Sequence, residues 1–313
     1  MSFGLGRFSR GDATFTGVAA DERIVRLDAL DPAWVGATIL DLLDDWDASV
    51  AALERHVGAG TFAAAEALER ETLRYHAPIA RPGKMLHAGA NYGEHVKEMA
   101  AYNVAAGNAD PARRFTGEKD GAQPYLFLKA SSALTGAYDD IALPPGEHQM
   151  DWEAELAVVI GRRGRGIAVA DAADHIAGYM VTNDLCCRDL LWRADRPNFK
   201  TDWLSSKSHD GFAPMGPLFV PRAFAGATDA QTLRLAVNGE VKQQGSTGDM
   251  IFSAEEQIAF ASTMMTLEPG DIFATGTVGG VGQATGTYLR AGDIVETTVE
   301  GLGTLRNRIV AAA

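Results

Sequence analysis

The sequence predicts an α+β protein that is mainly β, with a small N-terminal α/β domain over residues 1–80 and a larger β domain over 81–313. Three observations lead there. Short apolar runs bounded by Gly, Pro or Asp recur from residue 151 onward, and the 34 glycines crowd toward the C-terminus, where a chain of short strands needs many turns. Ala/Leu-rich stretches with helical spacing are concentrated in the first 80 residues. A length of 313 residues fits two domains or one large one at roughly 150 residues per domain.

Along the chain, IVRLDAL (24–30) reads as a β-like start. DASVAALERHV (47–57) and TFAAAEALERETL (61–73) follow with the spacing of helices. Pro78 and Arg81-Pro82-Gly83 then break the chain before the apolar run KMLHAGANY, which sets the domain boundary near residue 80. The polar segment 101–124 reads as a long surface loop or lid ahead of YLFLKASSALTG. WEAELAVVIG, AGYMVTND, PLFVP, LRLAVNGEV, DIFATGT and IVETTVEGLGTL then predict a mainly antiparallel β domain. SAEEQIAFASTMM interrupts it as a helix, with Ser253 and Glu256 in a capping-box pattern.

Composition excludes several function classes. With 28 basic against 41 acidic residues the formal charge is −13, and the longest basic stretch is Arg162, Arg163 and Arg165, so a nucleic-acid partner is not expected. No run of about 18 apolar residues occurs and the N-terminus has no apolar signal core, so a cytoplasmic protein without membrane association is expected. The two cysteines, Cys186 and Cys187, are adjacent, and consecutive Cα atoms about 3.8 Å apart would strain a bridge, so they read as reduced thiols.

The chemistry concentrates in two segments. In Asp151-Trp152-Glu153-Ala154-Glu155, strand alternation puts Glu153 and Glu155 on one face. Two close carboxylates must be protonated, matched by a base such as Arg188 or Lys207, or bound to a cation. Asp184, at the end of the apolar run 177–183, adds a third carboxylate that can face the same cavity. Three oxygen ligands without Cys or His favour Mg²⁺ or Mn²⁺, with Ca²⁺ as an option and zinc disfavoured. In Asn91-Tyr92-Gly93-Glu94-His95-Val96-Lys97-Glu98, Asn91 can cap a helix, with Glu94 returning toward the Asn91 N–H, that places His95 and Glu98 on one face, either as an acid/base pair or as an exposed ion pair.

Six motifs occur in one order: NYxxHxxE (91–98), FLKxxS (127–132), DxExE (151–155), Asn183-Asp184 with Arg188-Asp189, KSxD (207–210) and LEPGDIFATGTxxGVG (267–282). Together they make residues 81–310 resemble the fumarylacetoacetate hydrolase superfamily, of the fumarylpyruvate or acylpyruvate hydrolase kind. The resemblance implies a rolled mixed β-sandwich C-terminal domain, a homodimer and one divalent ion per active site. It implies that Glu153, Glu155 and Asp184 are the metal ligands and that His95 and Glu98 activate water. It further implies that Lys207 stabilises developing negative charge and that Arg188, Lys129 and Thr277 line the substrate pocket.

The expected reaction is hydrolysis of a C–C bond in a 2,4-diketo acid, giving pyruvate or a relative and a carboxylic acid. Decarboxylation, isomerisation and hydration or dehydration of a 2-oxo acid share the same metal-enolate step and form the alternative. A non-catalytic protein that kept the fold would lack an essential group. Asn91 stands where some members carry a further acidic ligand, Leu191 where some carry Gln, and His209 where Phe is common, the last read as packing. GTVGGVG (276–282) lacks the ending of a phosphate-binding loop, and no G-x-S-x-G elbow for a serine hydrolase is present.

Overall fold

A computed structural model describes residues 3–312 apart from 59, 106–116, 118, 120, 147, 197, 200 and 227. The charged residues Arg113, Arg114, Glu118 and Asp120 of the expected lid lie outside the described residues.

Among the described residues, eleven strands form one large sheet. Its path runs Arg23–Arg26, Ala13–Ala20, Gly4–Arg10, Ala213–Pro221, Ile176–Asn183, Ala154–Ile160, Ile272–Thr277, Met85–Gly89 and Tyr125–Leu128. Most neighbours are antiparallel, while Ile272–Thr277 and Met85–Gly89 run parallel. A second, five-stranded sheet joins Glu240–Ser246, Thr232–Val237, Ile294–Val299, Gly303–Val310 and Ile141–Ala142. Every residue of Ala154–Ile160 and Ile176–Asn183 is buried, as expected of central strands covered on both faces. The mainly β fold agrees with the expectation.

The boundary expected at residue 80 falls inside a continuous sheet: Leu5 pairs with Phe219, and the main apolar core includes Leu5, Leu53, Trp152 and Phe219 together. Sequence periodicity also missed the N-terminal hairpin Gly4–Arg10/Ala13–Ala20, although Gly11, at φ +58°, marks its turn. In TFAAAEALERETL only Thr61–Ala64 is α-helical, and a 3-10 turn at Arg70–Thr72 then leads into the strand Arg74–His76, which pairs with Gly4–Arg10. Tertiary strand pairing there overrides a favourable helical composition. The helices Trp46–Gly58 and Ala254–Met264 form as predicted, the latter with both bonds of its capping box. Cys186 and Cys187 are free and buried, and burial pushes the Cys186 thiol up to about 12. No helix among the described residues is long and apolar enough to cross a membrane.

Candidate active site

The two central strands assemble the acidic cluster. Ala154–Ile160 pairs Glu155 with Thr182 on one side and Thr277 on the other, while the Asn183 side chain accepts the Glu153 amide and the Asp184 amide donates to the Glu153 carbonyl. Oxygens of Glu153, Glu155 and Asp184 lie within 4.8 Å of one another, and all three residues are buried. Like charges this close in a low-dielectric interior need compensation, and their neighbours supply it.

Lys207 Nζ sits 2.6 Å from Glu153 Oε2 and 2.8 Å from Asp184 Oδ2. Arg188 contacts Glu153 Oε1 at 2.6 Å, and Lys129 contacts Asp184 Oδ1 at 2.5 Å. Burial opposes the charge on Asp184, but Lys129 and Lys207 outweigh it and hold the carboxyl well below the usual range. Burial likewise opposes charge on Glu153, where Lys207 and Arg188 prevail. Glu155 is different: burial, then Asp184 and Glu153, push its carboxyl well above the ordinary range. Its Oε2 accepts the Gly276 amide at 2.8 Å, while Oε1 is buried without a partner. Gly276 is required there, since its φ is +99° and a Cβ would lie 2.7 Å from that of Asn91.

That orphaned oxygen is the test of whether a cation fits. A buried carboxylate oxygen without a donor costs on the order of 1–3 kcal/mol or more, and a third ligand position beside two charged carboxylates removes that cost. The all-oxygen donor set suits a hard divalent ion. The residues therefore fit the expected metal, with Lys207 paired to two of the same three carboxylates.

A small cleft of about 50 Å³ opens beside the cluster, lined by Ala88–Ala90, His95, Phe127, Glu153, Arg188, Trp203, Lys207 and Thr277. A larger groove of about 1000 Å³, beside the helix Trp46–Gly58, contains none of the acidic cluster. Phe127 and Trp203 stack with ring centroids 4.7 Å apart and form an aromatic wall. His95 lies on the helix Gly93–Ala105 with Nδ1 buried and unpartnered. Burial, and beyond it Arg188 and Lys207, lower its imidazole to about 4 against the pull of Glu153, so the ring is neutral near pH 7.

Four expectations change in the structure. Glu98 does not meet His95 among the described contacts: its oxygens accept the Gly280 amide at 3.0 and 2.8 Å. Lys129 lies behind Asp184 rather than among the cleft-lining residues, donating also to the carbonyls of Leu185 and Phe212. Asn91 does not cap the helix; its amide donates to the Phe252 and Thr275 carbonyls and accepts the Phe252 amide. Glu94, exposed, pairs with Lys97 instead of returning to Asn91. Thr277 does line the cleft, but its hydroxyl also donates to the Ala154 carbonyl and accepts from Gln243.

Several supporting residues were not singled out from sequence. His87 is fully buried with Nδ1 3.3 Å from Asp184 Oδ2, short of hydrogen-bond geometry. Gln243, from the five-stranded sheet, accepts the Ala154 amide and donates to Thr277 and the Val278 carbonyl. Asp151 accepts the amides of Trp152, Gly282 and Gln283 as well as Arg188 Nε. Only Asp151 had a legible signal, since strand period 2 aligns it with Glu153 and Glu155.

Residues 84–310 match the family model described as fumarylacetoacetate (FAA) hydrolase, C-terminal. Among relatives, the mitochondrial oxaloacetate tautomerase FAHD2A of Homo sapiens is 36% identical over 291 residues, 92% of this chain and 84% of that protein. The structure of a fumarylacetoacetate hydrolase from psychrophilic Exiguobacterium antarcticum superposes with a TM-score of 0.76 at 30% identity, covering 99% of this chain and 100% of that one. A maleylpyruvate hydrolase from Sphingobium sp. SYK-6, in complex with manganese(II) and pyruvate, gives a TM-score of 0.74 at 26% identity over 99% and 100% of the two chains.

Proposed function

The chain belongs to the fumarylacetoacetate hydrolase family, and from that premise we propose that it is a divalent-cation-dependent isomerase that interconverts the enol and keto forms of a 2-oxo acid of the oxaloacetate class. This replaces C–C hydrolysis as the leading reading. Support comes from the tautomerase relative, and the observation that carries the choice is the placement of Glu98. With both carboxylate oxygens on the Gly280 amide, Glu98 does not orient the imidazole, and His95 stands as a single neutral proton carrier. Hydrolysis needs a positioned, activated water, whereas tautomerisation needs only a proton moved between carbon and oxygen.

Glu153, Glu155 and Asp184 would hold Mg²⁺ or Mn²⁺, the latter bound by the maleylpyruvate hydrolase neighbour, and the ion supplies Lewis-acid stabilisation of negative charge on the 2-oxo acid. Arg188 offers its guanidinium to the substrate carboxylate, a pairing that planar geometry favours. Lys207, held charged by Asp184 and Glu153 against the penalty of burial, donates to the oxygen on which the enolate charge gathers. His95 takes the proton from carbon 3, which is then returned to the 2-oxygen, so no atom enters or leaves. Phe127 and Trp203 exclude water from that wall of the cleft and protect the intermediate from side reactions.

The test follows the enol band of freshly dissolved enol-oxaloacetate in the ultraviolet, with and without Mn²⁺, beside an acylpyruvate cleavage assay. Metal-dependent acceleration of enol loss without acylpyruvate cleavage is expected. Acylpyruvate cleavage with oxaloacetate relaxing at its uncatalysed rate would restore the hydrolase reading.

A further inference from the structure

Asp151 is wholly buried, and its two oxygens receive four donors from two different parts of the site. Oδ1 accepts the amides of Trp152 at 2.8 Å and Gly282 at 2.7 Å; Oδ2 accepts the Gln283 amide at 3.0 Å and Arg188 Nε at 2.8 Å. One carboxylate thus holds the proposed substrate clamp and, at the same time, the short segment 280–283. That segment carries the Gly280 amide, on which Glu98 of the helix Gly93–Ala105 rests. His95 lies on the same helix, one turn before Glu98.

The fit at Gly282 is close. A Cβ there would meet Asp151 Oδ1 at 2.7 Å and the Thr287 carbonyl oxygen at 2.0 Å, so the loop is packed onto the carboxylate with no room for a side chain. Arg188 itself has two rival anions: Nε is on Asp151 and the Nη2 end is on Glu153. If Asp151 lost its charge, the guanidinium would be drawn onto Glu153 alone and away from the orientation it now has.

We propose that Asp151 is a positioning residue that couples the helix carrying His95 to Arg188, so that seating of Glu98 on Gly280 and the aim of the guanidinium are set together. The coupling runs through Glu98, the 280–283 segment, Asp151 and Arg188, a contiguous series of hydrogen bonds and a four-residue stretch of backbone. It rests on the reading of Arg188 as the clamp for a substrate carboxylate. It does not depend on which reaction follows, because it concerns binding.

Oxalate binding to the Mn²⁺-loaded protein, measured by titration calorimetry, tests it on the full chain with Asp151→Asn, Glu98→Gln, the double variant and Arg188→Ala. Mn²⁺ affinity is measured separately by its electron paramagnetic resonance signal. Asp151→Asn should weaken oxalate binding about tenfold with the site kept saturated by Mn²⁺, and the double variant should lose much less than the product of the two single losses. In turnover the same variant should raise KM far more than it lowers kcat. Wild-type oxalate affinity in Asp151→Asn, or losses that multiply fully in the double variant, would overturn the coupling. If Arg188→Ala binds oxalate normally, it is the clamp reading that fails. Asp151→Ser, which also removes the charge while keeping a small acceptor, gives the same readout if the Asn variant does not fold.

Discussion

Lys207 lies 2.6 Å from Glu153, with its ammonium on a carboxylate that would also hold the divalent ion. The same nitrogen is 2.8 Å from Asp184 Oδ2, so one lysine spans two of the three proposed ligands. It offsets their mutual repulsion and, for the same reason, opposes a cation entering between them. At an effective dielectric of about 20, unit charges about 4 Å apart interact by roughly 4 kcal/mol, far more than the 1.4 kcal/mol that corresponds to tenfold in affinity. Lys207→Met should therefore bind Mn²⁺ roughly tenfold or more tightly while losing turnover, as read by calorimetry and the enol assay on the same preparation. Weaker Mn²⁺ binding would show that the lysine organises the ligands more than it competes with the ion.

Glu153→Gln removes the carboxylate that Arg188 and Lys207 share. Metal-dependent turnover should vanish and Mn²⁺ affinity fall by about two orders of magnitude, since a neutral amide oxygen replaces a charged ligand next to two cations that each keep one close carboxylate partner fewer. His95→Ala should likewise abolish proton transfer, but with Mn²⁺ affinity kept within a few fold, because the imidazole is not among the ligands. The pair separates metal holding from proton movement.

The pH dependence of stability has a definite sign. Burial holds the folded His95 imidazole at about 4, below its ordinary 6.5, so below pH 6.5 the unfolded chain binds a proton that the folded chain refuses. Stability should be level on this account above neutrality, fall as the pH drops from about 6.5 to about 4, and lose no more from this group below that. The full effect is on the order of 3 kcal/mol at 1.36 kcal/mol per pH unit. Urea unfolding of metal-free protein at pH 7 and pH 5 checks it: the gap between the two should shrink in His95→Gln.

Asn91 is predicted to be structural. In Asn91→Ala the Phe252 and Thr275 carbonyls keep a donor in Gln257, but the buried Phe252 amide loses its acceptor, which costs about 1–3 kcal/mol. Asn91→Asp should cost more, because a carboxylate oxygen would face two carbonyls, and it should not tighten Mn²⁺ binding. Denaturant midpoints and calorimetry of the two variants decide this; a tighter ion site in Asn91→Asp would make the position a ligand in waiting.

Sequence by itself determined the parts of this protein whose physics is local or periodic. Strand alternation put Glu153 and Glu155 on one face, apolar runs ending in turn residues marked the central strands, and Ser253 with Glu256 fixed a helix start. The ordered motifs pointed to the family and to the three acidic residues that come together. Only the tertiary structure decided which partner each charge finds. Glu98 and His95 are three residues apart on a helix, yet Glu98 takes the Gly280 amide 182 positions away, a backbone N–H that must find an acceptor once the 280–283 segment is packed. Lys129 was expected in the substrate pocket and Asn91 at a helix cap, and they are drawn instead to a buried carboxylate and to buried backbone groups, whose desolvation must be compensated wherever they fall. Long-range pairing likewise carried the strands Gly4–Arg10, Ala13–Ala20, Arg23–Arg26 and Arg74–His76 into the main sheet, since the edge of Ala213–Pro221 offers backbone groups and apolar cover that no short window of sequence records.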